Sequence, residues 1–202
     1  MITGKKSSLD LKNTIRSNMS TGHVLFKLKY KTRSKKKNPF IMMCDVSASM
    51  TRFSGFALQF ILGMNQSVSH LEPYIFSQSA EPLNPMNLKS SEDFDDIIRK
   101  SNVWHKGTNI GQSIQQILSE QNTKLHSSTV VLLVSDAKTL EVDKLVENLK
   151  KLREKVKTIL WFNPVPISDW DRIPGITEIQ SQCRMIECSN LSKLAQACTT
   201  IL

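Results

Sequence analysis

Three oxygen-bearing side chains at alternating positions mark the stretch CDVSASM: Asp45, Ser47 and Ser49. They follow the apolar segment FIMMC, so they stand where a buried strand gives way to a helical pattern. Carboxylate and hydroxyl oxygens suit a hard cation such as Mg²⁺, which takes about six oxygen ligands and keeps several waters. No soft Cys or His ligand is in place to favour zinc, so the motif predicts a site for Mg²⁺ or Mn²⁺.

Two later polar stretches carry further candidate ligands. Thr108 lies between glycines in GTNIG, at the start of a helical pattern near Ile110, and Asp136 follows the apolar run VVLLVS. In open sheets of parallel strands, ligands bind outside the carboxyl ends of the strands. We therefore expect the five side chains to converge, with the glycines letting the Thr108 loop approach closely. A competing interpretation is that Ser49 or Thr51 only caps a helix.

From residue 40 onward, short apolar runs alternate with amphipathic helical patterns, which predicts a mostly parallel sheet covered on both faces. The strand candidates are FIMMC, YIF, TVVLLV, TILWF and RMIEC. Helices are predicted near residues 53–71, 92–100, 110–121, 142–156 and 191–202. The predicted fold class is therefore α/β and doubly wound, with NPVPISDWDRIPGI as its one long irregular segment.

Residues 1–37 form a basic lead-in to this pattern. Leu11, Ile15 and Met19 share one helical face. The stretch HVLFKLKYKTR then alternates apolar and basic residues, as an antiparallel edge strand does when one of its faces meets water. We expect both pieces to be integral to the fold, with residues 38–202 forming the main domain.

The formal net charge of +9 is concentrated in the same region. Residues 1–40 hold eleven Lys and Arg against one acid, Asp10, whereas the rest of the chain is nearly balanced. Nucleic-acid binding is one interpretation of such a segment, but no aromatic residues interleave with RSKKKNP for stacking on bases. The pattern therefore favours a solvated basic face.

The remaining composition narrows the class of protein. No window of 18 uncharged apolar residues exists and the N-terminus lacks the apolar core of a signal peptide, which predicts a cytoplasmic protein without a membrane span. The four cysteines contain no CxxC pair and the four histidines are scattered, which indicates neither a zinc site nor a disulfide framework.

The stretches DVSASM, GTNIG and LLVSDA resemble the three loops of the metal-ion-dependent adhesion site (MIDAS) of von Willebrand factor A (VWA) domains. DLKNTIRSNMSTGHVLFKLKYKTR and KTILWFNPVP are similar to the lead-in and the strand end of the CoxE-like branch, a group of bacterial cytoplasmic VWA proteins. In that family the hydroxyls touch the metal and the aspartates act partly through water. The resemblance implies a metal site formed by Asp45, Ser47, Ser49, Thr108 and Asp136.

Two departures from the family pattern affect these loops. Ala48 replaces the usual glycine of D-x-S-G-S, and Ala137 follows Asp136 where glycine is common. Neither change removes a ligand oxygen. Ala137 would displace or strain the third loop if the backbone there needs a positive φ.

The resemblance also implies a function. CoxE-like proteins are associated with MoxR-type AAA+ ATPases in the maturation or remodelling of client metalloenzymes, such as molybdenum-containing carbon monoxide dehydrogenase. The chain would then be a non-catalytic adaptor, since it has no G-x-x-x-x-G-K-[ST] loop. The neutral hydroxyls would leave the ion under-neutralised, so a client protein is expected to present an acidic residue to it.

Two questions stay open at this level. A Mg²⁺-dependent phosphatase using Asp45 as nucleophile is an alternative, although no second aspartate stands at the i+2 position. Trp104 and His105 at the rim, and Asp169 and Trp170 in the proline-rich segment, are candidate partner contacts. Loop packing and a solvated loop are the competing interpretations of these two pairs.

Overall fold

The computed structural model describes residues 8–9, 30–31, 36–84, 91–104, 107–120, 124–190, 192–193 and 196–197. The strands are β1 (Ser8–Leu9), β2 (Tyr30–Lys31), β3 (Lys36–Asp45), β4 (Val68–Phe76), β5 (Ala80–Pro82), β6 (Val130–Val134), β7 (Thr158–Asn163) and β8 (Arg184–Glu187). The α-helices are α1 (Ser54–Ser67), α2 (Ser91–Lys100), α3 (Ile110–Glu120), α4 (Val142–Lys155) and α5 (Ile176–Gln182). Two 3₁₀ helices span Ala48–Phe53 and Ile167–Arg172.

Six of the strands form one sheet in the order β5-β4-β3-β6-β7-β8. The pairings β3–β4, β3–β6, β6–β7 and β7–β8 are parallel, and β4–β5 is antiparallel. The predicted α/β class with a mostly parallel sheet is therefore confirmed. All five strand candidates named from the sequence lie in this sheet.

Alternation along the central strands divides the core between the two faces of the sheet. Phe40, Met42 and Cys44 of β3 pack into one cluster with residues of α1, and Ile41 and Met43 pack into the other with residues of α3, α4 and α5. Every residue of β6 is buried. This explains why these strands are continuous apolar runs, as expected of parallel strands covered on both faces.

Two segments differ in secondary structure from what the sequence predicts. The helix predicted to reach residue 71 ends at Ser67, because Val68–Phe76 pairs in parallel with β3. The start of β4 is exposed at Ser69 and His70, so its pattern does not alternate as a half-buried strand would. The segment expected to be irregular contains the second 3₁₀ helix and leads into α5 through Gly175, at a φ of 69°.

Only part of the N-terminal lead-in falls within the described residues. Tyr30–Lys31 pairs antiparallel with Ser8–Leu9 in a separate two-stranded sheet, and the antiparallel edge of the main sheet is β5. The remainder of the predicted edge strand and the helix predicted through Leu11 lie outside the described residues. Strand β1 contacts α1. This contact supports our proposal that the lead-in is integral to the fold. In the described ranges, no helix is both long and apolar enough to cross a bilayer.

Candidate functional site

The candidate metal-binding residues lie at the point where the winding of the sheet reverses. The chain passes from β3 to β4 on one side and later returns to β6 on the other side of β3. Cys44 pairs with Val134, so the next residue of each segment is brought to the same edge: Asp45, the last residue of β3, and Ser135, which follows β6. A crevice at the carboxyl ends of such strands is the usual ligand site of doubly wound sheets.

The first loop turns its oxygen atoms toward one another. Asp45 and Ser47 are 3% and 2% exposed, whereas Ser49 is exposed. Oδ1 of Asp45 accepts a 2.9 Å hydrogen bond from the backbone N–H of Ser47. The hydroxyls of Ser47 and Ser49 lie 3.3 Å apart. This turn buries the carboxylate and leaves the outer hydroxyl open to solvent.

The third loop, residues 135–141, brings a second carboxylate to the same edge. Asp136 is 2% exposed, and its carboxylate accepts from the backbone N–H of Lys138 at 3.2 Å and lies 3.4 Å from Nζ of that residue. The hydroxyl of Ser135 donates a 2.6 Å hydrogen bond to Oδ2 of Asp45. Ala137 adopts a φ of 65°, so the strain anticipated from the missing glycine is present.

The Thr108 loop is held between the end of β4 and the third loop. Asn109 donates its backbone N–H to the carbonyl of Ser77, which follows β4, at 2.8 Å. The carbonyl of half-buried Thr108 accepts from the N–H of Leu140 at 3.2 Å, and Thr139 accepts from the first residue of α3 at 3.2 Å. Through these bonds the second loop lies beside the third loop.

The glycines of this loop have different roles from those expected. A Cβ on Gly107 would meet only a side-chain atom of Gln78, at 3.7 Å, so no close approach occurs there. A Cβ on Gly111 would lie 2.9 Å from the backbone N of Leu145. The close approach is therefore between α3 and α4, and it is reinforced by a 2.9 Å bond from Asn148 to the Gly111 carbonyl.

The electrostatics of the edge suit a hard divalent cation. Burial raises the pKa of Asp45 to about 6, hydrogen bonds from Ser135 and Ser47 lower it, and the charge of Asp136 raises it. Two buried carboxylates beside neutral hydroxyls provide an oxygen donor set of the kind that Mg²⁺ and Mn²⁺ accept. The neighbouring Cys44 is fully buried in the core cluster on the α1 face, and burial raises the pKa of its thiol far above its usual range.

Within the described ranges, no three His, Cys, Asp or Glu side chains group together as a metal cluster. The candidate site therefore depends on the hydroxyls of Ser47, Ser49 and Thr108 as well as on its two aspartates. The residues present fit an oxygen-coordinated ion, with Asp45, Ser47, Ser49 and Asp136 at one edge and Thr108 in the adjoining loop.

The candidate partner contacts differ in how far they are buried. Trp104 is partly buried against the core cluster on the α1 face, as loop packing predicts, and His105 lies outside the described residues.

Trp170 is 5% exposed and donates its indole N–H to the carbonyl of Val165 at 2.8 Å. Its expected place in a solvated or partner-binding loop is corrected, because the side chain belongs to the core on the α3 face. Asp169 forms a 3.2 Å ion pair with Arg172.

Sequence reasoning missed the residues that support the site. Ser135, Asn109, Thr139 and Glu141 join the three loops through hydrogen bonds. The sequence signal that could have identified Ser135 is its position, since it is a hydroxyl residue directly before Asp136. Its partner 90 positions earlier depends on the register of β3 against β6, which no local pattern contains.

Solved structures with similar folds are VWA domains or contain a MIDAS motif, among others. The von Willebrand factor type A protein of Catenulispora acidiphila aligns at 12% identity and a TM-score of 0.55, over 84% of this chain and 42% of its own. Proximal thread matrix protein 1 of the mussel byssus, with a zinc-occupied MIDAS motif, aligns at 15% identity and a TM-score of 0.53, over 81% and 46%.

An aerotolerance-related membrane protein of Bacteroides fragilis aligns at 13% identity and a TM-score of 0.50, over 79% of this chain and 96% of its own. The chain thus spans less than half the length of the first two structures, and at these identities the likeness concerns the fold alone. No curated protein matches the sequence. The profile of the family described as "VWA domain containing CoxE-like protein" matches residues 3–196, and the chain belongs to that family.

Proposed function

We propose that the chain is a non-catalytic, metal-dependent protein-binding module, a cytoplasmic adaptor that works with a MoxR-type AAA+ ATPase on a client metalloenzyme. The observation that carries this proposal is the joint burial of Asp45 and Asp136 beside the paired hydroxyls of Ser47 and Ser49. Mg²⁺ or Mn²⁺ would be held by these four residues together with Thr108. When bound, the ion would offer an open coordination position to an incoming carboxylate.

The side chains around that edge suit an acidic partner. Ser49 is exposed and Thr108 half-buried, so both are accessible from solvent. Lys138 adds a cation whose side chain is 61% exposed. Leu140 is 74% exposed and adds apolar surface beside Thr108, whose carbonyl accepts the Leu140 backbone N–H. A partner segment with a Glu or Asp beside an apolar residue matches this combination of charge and apolar area.

The phosphatase alternative is disfavoured by the surroundings of Asp45. One of its carboxylate oxygens accepts from the Ser47 N–H and the other from the Ser135 hydroxyl, so neither is free of protein donors. The neighbouring carboxylate, Asp136, is engaged in an ion pair with Lys138. Nucleic-acid binding through residues 1–40 rests on charge alone and stays a minor alternative.

Thermal unfolding with metal and with EDTA tests the metal site. If millimolar metal exceeds the dissociation constant ten- to a hundredfold, linkage adds roughly 1.4–2.7 kcal/mol, or about 3–10 °C in melting temperature. The Asp45→Ala variant should melt equally with and without metal. Ser119→Ala, which removes an exposed hydroxyl from α3, should retain the full wild-type shift. Wild-type curves that coincide would count against the site.

Binding to a purified MoxR-type ATPase from the same genome tests the adaptor role. Binding should require Mg²⁺ or Mn²⁺, be abolished by EDTA and be lost in the folded double variant Ser47→Ala, Ser49→Ala. Equal affinity of wild type and this variant would show that the metal edge is not the contact surface.

A further inference from the structure

We infer that Ser135 is a positioning residue of the metal site, one that joins the first loop to the third and sets the orientation of the Asp45 carboxylate. This inference rests on the proposed metal-dependent function and assigns a role to a residue outside the candidate ligand set. Ser135 is fully buried, and its hydroxyl lies 2.6 Å from Oδ2 of Asp45. A hydroxyl donating to a carboxylate at this distance makes one of the stronger hydrogen bonds found in proteins.

The Asp45 carboxylate is held from two sides. Its Oδ1 accepts the backbone N–H of Ser47 within its own loop, and its Oδ2 accepts the hydroxyl of Ser135 from the loop after β6. Two donors on different oxygens prevent the carboxylate plane from rotating. Each oxygen keeps a second lone pair that can face an ion or an ordered water.

The direction of the Ser135 proton follows from its other contacts. The hydroxyl oxygen accepts a 3.2 Å hydrogen bond from the backbone N–H of Ala137. Because that contact uses a lone pair, the hydroxyl proton remains available for Asp45, the acceptor at 2.6 Å. Ser135 therefore acts as a donor to the carboxylate.

Ser135 is itself fixed by strand β7. Its backbone N–H donates to the carbonyl of Phe162 at 3.2 Å, and its carbonyl accepts the indole N–H of Trp161 at 2.9 Å. Trp161 is fully buried, so these bonds hold the serine on rigid, packed elements. The contacts form a continuous path from Trp161 through Ser135 to Asp45. Partners that orient ligands in this way typically change metal affinity 10–100-fold when they are removed.

Manganese binding by the full chain, measured by calorimetry, tests the inference. We expect Ser135→Ala to bind Mn²⁺ about tenfold or more weakly than wild type, and Ser135→Thr, which keeps the hydroxyl, to recover most of the affinity. Thr129→Val is the matched control, because it removes the hydrogen bond of a buried hydroxyl just before the start of β6, at the end of the strand away from the candidate metal site. Its Mn²⁺ affinity should equal that of wild type.

A spectroscopic readout separates positioning from a general loss of stability. With 5-fluorotryptophan incorporated, the ¹⁹F resonance of Trp161, assigned with Trp161→Phe, should shift on Mg²⁺ addition in wild type. At saturating Mg²⁺, Ser135→Ala should show a smaller shift, because the path from the ion to the indole is broken. Thr129→Val should show the wild-type shift.

The outcomes distinguish this inference from the proposed function. If wild type binds Mn²⁺ and Ser135→Ala binds it equally well, the positioning role is overturned and the metal site stands. If wild type binds no Mn²⁺, the proposed function fails and the inference fails with it. If Ser135→Ala does not fold, Ser135→Cys carries the test, since its thiol is a weaker donor: weaker Mn²⁺ binding supports the inference and unchanged binding overturns it.

Discussion

The side-chain amide of Asn109 donates a 2.5 Å hydrogen bond to Oε2 of Glu141, which ties the Thr108 loop to the end of the third loop. The carbonyl oxygen of the same amide accepts the backbone N–H of Gln112 at 3.0 Å and so caps the first turn of α3. One largely buried side chain therefore starts a helix and positions a candidate metal loop.

Replacing Asn109 with Ala should lower the free energy of unfolding by about 2–3 kcal/mol, since it removes a helix cap and a bond to a charged acceptor. Urea unfolding measures the loss. Glu141→Gln is the matched control, because it keeps the cap and an acceptor oxygen, and it should cost less than about 1 kcal/mol. Equal losses in the two variants would mean that the cap contributes nothing.

Ala137→Gly should stabilise the protein. Ala137 holds a φ of 65°, a left-handed conformation that disfavours a residue with a Cβ by about 1–2 kcal/mol. Glycine removes that strain but loses more backbone entropy on folding, which leaves a gain of about 0.5–1 kcal/mol, or roughly 1–4 °C in melting temperature. A lower melting temperature for the variant would show that the alanine methyl group packs favourably enough to outweigh the strain.

The stability of the metal-free protein should depend on pH through Asp45. Burial raises the pKa of this carboxyl to about 6 from an ordinary value near 3.8, so the folded state holds the proton more tightly. The stabilisation that this protonated carboxyl contributes is fully present below its pKa in the unfolded state and is lost as pH rises through about 6.

In EDTA, the free energy of unfolding of Asp45→Asn relative to that of wild type should therefore rise by roughly 3 kcal/mol between about pH 4 and pH 7. Urea unfolding of both proteins across that range checks this difference and cancels the titration of groups they share. A difference that is constant with pH would contradict the raised pKa. Adding Mg²⁺ to wild type should reduce the difference at neutral pH, because the ion compensates the buried charge.

A pair of glycine substitutions tests the packing around the second loop. Gly111→Ala should destabilise the protein by about 1–3 kcal/mol, because its Cβ would lie 2.9 Å from the backbone N of Leu145. Gly107→Ala should change stability by less than about 0.5 kcal/mol, because the nearest atom to its Cβ is 3.7 Å away. Thermal melts of the two variants should therefore separate, and similar melts would show that α4 shifts away without cost.

Local patterns in the sequence were sufficient for the elements that bear the candidate site. FIMMC and TVVLLV are apolar runs because their strands are buried on both faces, and this local cause can be seen without the fold. The polar residues after those runs, Asp45 and Asp136, were predicted to converge because parallel strands end at a common edge. The structure brings both to that edge, while their role as metal ligands stays a prediction.

Tertiary structure alone decided the contacts that depend on strand register and on packing between distant segments. Ser135 meets Asp45 because β6 pairs with β3 in a register that places Val134 beside Cys44. The end of α1 at Ser67 depends on the pairing of the following strand with β3, and the burial of Trp170 depends on the core formed on the α3 face. Such contacts join residues tens of positions apart, so local composition and periodicity carry no signal for them.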